Sequence, residues 1–348
     1  MRKNTLILVL LVAFLVLVMT VTGCAKKDPV VDPAPAPETF EKETPTSLVI
    51  GSASVGGTYH LYAQVWAVLA QEALGIPISV EVTDGPNHNL IGVEDKNFML
   101  GMTTMGPAYE AWMGEGEWTG GQEHKDVRSL FPMYNTYFHW IADAGKGINS
   151  LRDFEGKRVG SGPAAGTMGT FGPRFLELLG IKADVRFGGI SDLVENQGDG
   201  LLDVSGLAAG LPVSSFSQYE VTKGPQNVVF IGVDGEDREK IKTEWPYFSN
   251  AKIPAGTYSA LTTDLETIGV WNIAIVSKYL DDEMVYKIVK AVMENNDKMV
   301  AGHASAKETL AENFQHMDII PLHPGAIRYF KEIGLTIPDH LIPAEYQK

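Results

Sequence analysis

The sequence predicts an α/β protein of two lobes with a ligand cleft between them and a hinge. Three observations predict it. From Ser47 onward, short apolar runs, glycine-bearing loops and amphipathic stretches alternate, the signature of parallel α/β layers. The alternation restarts near residue 150, after a polar, glycine-rich stretch at 145–156. The chain has 348 residues, which at roughly 100–200 residues per domain makes about two domains.

The elements follow in order. Residues 47–51 form a short apolar run ending at a glycine, and 59–74 carry Leu61, Val65, Val68 and Leu69 at helical spacing. Residues 78–82 and 97–103 read as strands, and 130–134 with 137–142 as a strand pair. In the second lobe, 157–160 and 184–187 read as strands, and 173–179 and 191–197 as helices, with 202–205 and 228–231 as further strands. Residues 232–258 read as irregular, with Pro246, Pro254 and Gly256. Residues 269–276 read as two short strands, 281–295 as an amphipathic helix, and the rest as further helices. The aromatic residues Tyr134, Tyr137, Phe138 and Trp140 read as strand core. The expected organisation is residues 47–142 plus 259–348 as one lobe and 143–258 as a second lobe inserted in it.

The N-terminus reads as an address. Met1-Arg2-Lys3 is positive, residues 6–18 are thirteen consecutive apolar residues, and Val21-Thr22-Gly23-Cys24 follows. The run is short for a membrane span, which needs about 20 residues, and suits a secretory signal. Small residues before a cysteine look like a lipobox, so residues 1–23 are expected to be removed and Cys24 lipidated. At about 0.8 kcal/mol per buried CH₂, a multiply acylated cysteine holds a protein at a bilayer. The body is then extracytoplasmic, anchored to a bacterial membrane. Residues 24–46 with Pro29, Pro33, Pro35, Pro37 and Pro45 read as an inert extended tether.

Composition excludes several functions. Forty-three acidic residues against 28 basic give a net charge of −15, against the basic face a nucleic-acid binder needs. One cysteine excludes an internal disulfide framework and a cysteine-cluster zinc site. There is no Gly-x-Ser-x-Gly elbow and no His-Glu-x-x-His helix. Ser249 and Lys252 match Ser-x-x-Lys with no supporting motif. The eight histidines are scattered, most of them surface or capping residues, with His60 and His88 beside loops of interest. No catalytic residue, cofactor or metal is expected.

Two loops carry binding chemistry. Residues 51–58 and 160–170 each leave a strand through glycines and open a helix. Glycines allow close backbone approach, and helix-start N–H groups favour an anion. Neither loop has the Gly-Lys-Ser/Thr ending of a P-loop or the dinucleotide spacing. The polar turn at 84–90, with Asn87 and Asn89, and the loops at 104–109 and 206–212, with Gly210, should converge at the carboxyl ends of the strands. A carboxylate held between lobes fits this set.

The order of motifs resembles the TAXI family of TRAP-transporter solute-binding proteins. The resembling pieces are Val-Gly-Gly-Thr-Tyr59, Thr83-Asp-Gly-Pro-Asn-His-Asn-Leu90, Ala165-Gly-Thr167, Ala209-Gly-Leu-Pro212, Ile253-Pro-Ala-Gly-Thr-Tyr258 and residues 321–330. The resemblance implies a periplasmic-binding-protein fold that closes on a small carboxylate such as glutamate, glutamine or 2-oxoglutarate. It implies delivery to a fused, ion-gradient-driven membrane subunit. It places ligand contacts at Val55, Gly56, Gly57, Thr58, Tyr59, Asn87, Asn89, Ala165, Gly166 and Thr167. This chain departs from the family at Val55, at Pro86 with His88, and at Ala165, losing hydroxyls where a missing donor costs about 1–3 kcal/mol. A sensor ectodomain and a binding protein for an ABC-type importer share the fold and stay open as alternatives.

Overall fold

Each glycine loop of the first half joins a strand to a helix. In the computed structural model, which describes residues 40–346, the order is β1 (Leu48–Gly51), α1 (Thr58–Leu74), β2 (Ile78–Glu81), α2 (Pro86–Glu94), β3 (Leu100–Thr104) and α3 (Met105–Met113). The long strand β4 (Val127–Asp143) leads to β5 (Arg158–Gly160), α4 (Thr167–Leu178), β6 (Asp184–Arg186), α5 (Ile190–Gly198), β7 (Val204–Ala209) and α6 (Ser214–Lys223). Then come β8 (Val228–Ile231), α7 (Gly235–Glu244), β9 (Ser249–Ile253), the long strand β10 (Leu265–Ser277), α8 (Asp282–Glu294), α9 (Asn296–Gly302) and α10 (Pro324–Glu332). Cys24, the signal segment and most of the expected tether lie outside the described residues.

The strands run β2-β1-β3-β10-β4-β7-β5-β6, with β8 on β4 and β9 on β10. β2-β1-β3 and β7-β5-β6 are parallel trios at the two ends. β10 and β4 lie between them, antiparallel to each other and to their neighbours β3 and β7. These are two α/β lobes joined through a pair of long strands, with the cleft at the carboxyl ends of β1, β2, β3 and β5. The first half of β4 pairs with β10, and its last residues pair with β7 on one side and β8 on the other.

The expected pair at 130–134 and 137–142 is thus one continuous strand, and so is the expected pair at 269–276. Pro132 and Asn135 suggest a break in the sequence. Pro132 has no N–H to give a ladder, and it faces Ile273 where the β4–β10 register shifts, the kind of irregularity that tolerates proline in a sheet. The first second-lobe helix starts at Thr167, six residues before Pro173. Pro173 lies inside this helix and has no N–H to give the carbonyl of Gly169 four residues earlier. Residues 235–244 are helical where irregular chain is expected. Ile241 is the buried residue of α7, so an apolar stripe was absent from the sequence.

The core is continuous through both trios. Trp66 and Tyr62 of α1 pack edge-on against Phe131 and Tyr134 of β4, with centroids 5.4 and 5.3 Å apart. Phe138, Phe171, Phe175 and Phe248 cluster at centroid distances from 5.0 to 6.4 Å. Burying each aromatic side chain contributes about 1.5–3 kcal/mol. The end of the expected tether is not free spacer. Glu43 N–H donates to Tyr279 O at 2.6 Å, Asp281 N–H donates to Glu43 O at 2.9 Å, and Lys42 Nζ pairs with Asp282 at 2.8 Å.

Candidate functional site

Four helices of the two lobes begin at one place. α1, α2, α3 and α4 start behind Gly57, Gly85, Thr104 and Gly166, and none of these residues caps its helix with a side chain. None of the four carries an acidic residue in its first turn. Gly57, Thr58, Gly85, Pro86, Thr104, Gly166 and Thr167 all line one cavity of about 40 Å³. The first N–H groups of a helix have no partner within it, and its dipole is positive there. The cavity therefore sits in the focus of four positive helix ends.

The rest of the wall is mixed. Ala53, Pro163, Leu207, Ala208 and Ala209 supply apolar surface, and Ser54, Tyr59 and Asn272 supply polar atoms. Tyr59 Oη donates to Asn272 Oδ1 at 2.7 Å, and Asn272 Nδ2 donates to Tyr134 O and Thr136 Oγ1, both at 2.6 Å. Burial holds the Tyr59 hydroxyl well above its ordinary pKa, so it serves as a neutral phenol.

The lobes meet around this cavity. The hydroxyls of Thr104 and Thr167 hydrogen-bond at 2.9 Å. Asn87 N–H donates to Ala165 O at 3.1 Å, and its Nδ2 donates to Thr170 Oγ1 at 3.0 Å. Thr58 Oγ1 donates to Gly210 O at 2.8 Å, and Ser214 Oγ donates to Gly56 O at 2.8 Å. Gly85 has φ +109°, and a Cβ there would stand 3.1 Å from Gly166 Cα. A few residues further along α3 and α4, Glu110 pairs with Arg174, and Trp118 Nε1 donates to the other Glu110 oxygen at 2.6 Å. Glu110 is 5 % exposed. This pair forms a part-buried ionic contact between the lobes.

The residues expected from sequence fall into three groups. Gly57, Thr58, Tyr59, Gly166 and Thr167 line the cavity. Gly56, Asn87, Ala165 and Gly210 make contacts between the lobes through the bonds just given. Val55 touches the other lobe through its backbone alone, and Asn89 does neither. Val55 is 57 % exposed, and its carbonyl accepts from Ser191 Oγ at 3.2 Å. Asn89 is fully buried, its Nδ2 donating to Ser52 O and Met102 O at 2.8 Å each, and its Oδ1 accepting from Thr83 Oγ1 at 2.8 Å. With its amide spent on Ser52 after β1 and Met102 of β3, Asn89 holds these strands together and does not line the cavity. The hydroxyl losses at 55 and 165 also fall outside the lining. Thr104 was placed in a converging loop but not named as a ligand residue. Asn272 was missed, because its link to Tyr59 spans 213 positions and leaves no local signal.

His60 and His88 do not line this cavity. His139 is fully buried rather than superficial. Its ring lies 2.9 Å from both Tyr137 O and Tyr258 Oη, and burial lowers its pKa to about 4. A wider groove of about 790 Å³ lies on the Glu110–Arg174 side, lined by Tyr109, Trp245, Tyr247, Trp271, Glu244 and Asp318 among others. It is acidic, with none of the four helix starts except Met105 beside it. The small cavity is the better-built site for a solute.

Comparisons with known proteins agree with this architecture. A family model described as NMT1-like matches residues 50–334. The solved structure of periplasmic binding protein BugD superposes with a TM-score of 0.51 at 13 % identity, over 84 % of this chain and 99 % of its own. A structure described as a periplasmic transporter gives a TM-score of 0.49 at 17 % identity, over 86 % of this chain and 95 % of its own. The likeness to the first is one of fold.

Proposed function

We propose that this chain, which belongs to the NMT1-like family, is an extracytoplasmic receptor that captures a small carboxylate between its lobes and delivers it to a membrane transporter. One observation carries the reading: four uncapped helix starts, drawn from both lobes, meet at one small cavity. Backbone N–H groups and the positive ends of helix dipoles bind an anion without a cationic side chain. Thr58, Tyr59, Thr104 and Thr167 put hydroxyls in the wall, bonded without ligand to Gly210 O, to Asn272 Oδ1 and to each other. We take residues 47–142 with 259–348 as one lobe and 143–258 as the other, hinged on β4 and β10. Ligand shifts the open–closed equilibrium by contacts available only when both sets of helix starts are together.

Cys24 after the apolar N-terminal run supports a lipid anchor, and the motif order given above supports a transporter of the TRAP type with a substrate-binding protein of the TAXI kind. Two experiments test the parts separately. Small-angle scattering of the protein with and without a bound carboxylate should show compaction, and an unchanged radius at saturation removes the hinge. Uptake in cells should collapse with an ion-gradient uncoupler and survive ATP depletion. The reverse pattern assigns the receptor to an ATP-driven importer.

A further inference from the structure

We infer that the solute of this cleft is a monocarboxylate with an elongated apolar body, its head in the small cavity and its chain in a wider space outside. The inference rests on the carboxylate reading above and deepens it.

The small cavity holds little more than a head group. A single water needs about 10–15 Å³ of such space. The cavity's volume of about 40 Å³ therefore takes about three or four non-hydrogen atoms, which is a carboxylate and its α-carbon. A second space of about 650 Å³ adjoins it, and Ser54, Asp84 and Pro163 line both.

The outer space has apolar side chains of both lobes standing in water. Val55 is 57 % exposed, Val82 52 % and Phe187 50 %, and all three line it. Pro163 and Ala164 extend the apolar wall. Covering apolar surface is favourable in proportion to its area. A chain laid between Val82 of one lobe and Phe187 of the other gains affinity that the inner cavity has no room to supply. The same chain favours the arrangement in which the lobes are together.

The charged groups of the outer wall bear on the far end of the solute. Its carboxylates are Asp84 and Asp192, and both residues are exposed. Among the described residues, no lysine or arginine lines either space. A second carboxylate on the solute would meet two like charges and no cationic side chain of that kind. A distal ammonium would meet the Asp84 carboxylate where it is 74 % exposed and already 3.9 Å from His88 Nδ1. Ion pairs of exposed groups contribute little.

The test titrates straight-chain acids calorimetrically into the purified protein after bound ligand has been stripped. Butanoate, hexanoate and octanoate vary the chain, while octanedioate and 8-aminooctanoate vary its far end. Glutamate and 2-oxoglutarate serve as carboxylates without an apolar body, and 1-octanol as the body without its head. A fully buried methylene is worth about fourfold in affinity. Four partly covered methylenes should still make octanoate bind about tenfold or more tighter than butanoate, and both end-substituted acids should bind about tenfold or more weaker than octanoate. Phe187→Ser should weaken octanoate about fivefold, and Phe187→Leu, which keeps apolar surface, should recover most of that. A flat chain series, an end-substituted acid that matches octanoate, binding of glutamate or 2-oxoglutarate alone, or an octanoate affinity unmoved by Phe187→Ser overturns the inference and leaves the carboxylate receptor standing. If no acid binds, or if 1-octanol binds as tightly as octanoate, the inference and the reading beneath it both fall.

Discussion

Helices that begin at the cleft and helices that begin elsewhere are built differently. α1 to α4 open with neither a side-chain cap nor an acidic first turn. Away from the cleft, Asp281 caps α8, His323 caps α10, and α7 and α9 carry an acidic residue in the first turn, whereas α5, which starts beside Val55 at the edge of the cleft, carries Asp192 there. α6 goes with the first group, and its first residue, Ser214, touches Gly56 of the cleft loop. A side-chain cap is typically worth about 1 kcal/mol. Leaving it off at four helices that share one cavity gives up stability in the empty protein and puts no capping side chain between the helix ends and the cavity, though in α2 Pro86 has no N–H and that of Asn87 is bonded to Ala165 O. The difference teaches where the ligand energy is held: in backbone already aligned by the sheet, rather than in charged side chains.

The largest effect should come from making a cleft helix resemble the others. Thr104 is the N-cap position of α3 and is 1 % exposed. Thr104→Asp places a fixed carboxylate where the solute's carboxylate would sit. Calorimetry should show carboxylate affinity reduced at least a thousandfold, about 4 kcal/mol, while the melting temperature of the empty protein holds or rises. Thr104→Ser, which keeps a hydroxyl, should stay within a few-fold. Unchanged affinity in the aspartate variant would show that these helix starts are not the anion seat.

Acid probes the other class. Gly325 N–H donates to Nδ1 of His323 at 3.2 Å, a cap that requires an unprotonated nitrogen. Burial, with Lys42 and Arg128 nearby, holds the His323 pKa well below its ordinary value, and burial lowers that of His139 to about 4. A base with a lowered folded pKa binds its proton more readily when unfolded. Its stabilisation is therefore complete above the unfolded value near 6.5 and is lost as pH falls towards the folded value. His139 alone accounts for about 3 kcal/mol between pH 6.5 and 4. Chemical denaturation across that range should show this loss, reduced in His139→Gln. A flat profile in the parent protein would contradict the buried neutral histidines.

The Glu110–Arg174 pair joins the far ends of two uncapped helices, so it tests whether closure and ligand binding are separable. Removing Arg174 strands the buried Glu110 carboxylate, and the protein avoids that cost by opening. Arg174→Ala should enlarge the radius of the empty protein and weaken ligand binding by about ten- to a hundredfold, or about 1.4–2.7 kcal/mol. Arg174→Lys should recover part of it. If the radius and affinity both hold, the ionic contact contributes nothing to closure.

Much of this contrast was legible in the chain and some was not. The loops at 51–58 and 160–167 announced themselves because glycine before a helix is a local pattern. So did the absence of acid after Gly57 and Gly166. The hinge was hidden, because Pro132, Asn135 and Gly269 interrupt strands whose continuity comes from pairing with each other. A Cβ at Gly269 would stand 2.5 Å from Asn135 Nδ2, a constraint visible only when the strands are side by side. Asn89 looked like a ligand donor because its residue type is right for one. Its partners, Ser52 O just past β1 and Met102 O in the middle of β3, come from other elements.

The smallest effect belongs to a cap remote from the cleft, and it is the control that gives the others meaning. Asp281 Oδ1 accepts from the N–H groups of Glu283 and Met284, both at 3.0 Å. Asp281→Ala should therefore cost about 1 kcal/mol of stability and leave carboxylate affinity within twofold, because α8 shares no lining residue with the cavity. Asp281→Asn, which keeps the acceptor and removes the charge, should recover most of the loss. A variant here that weakens ligand binding as strongly as it weakens the fold would mean that the cleft helices respond to global stability, and the distinction between the two kinds of helix start would lose its functional content.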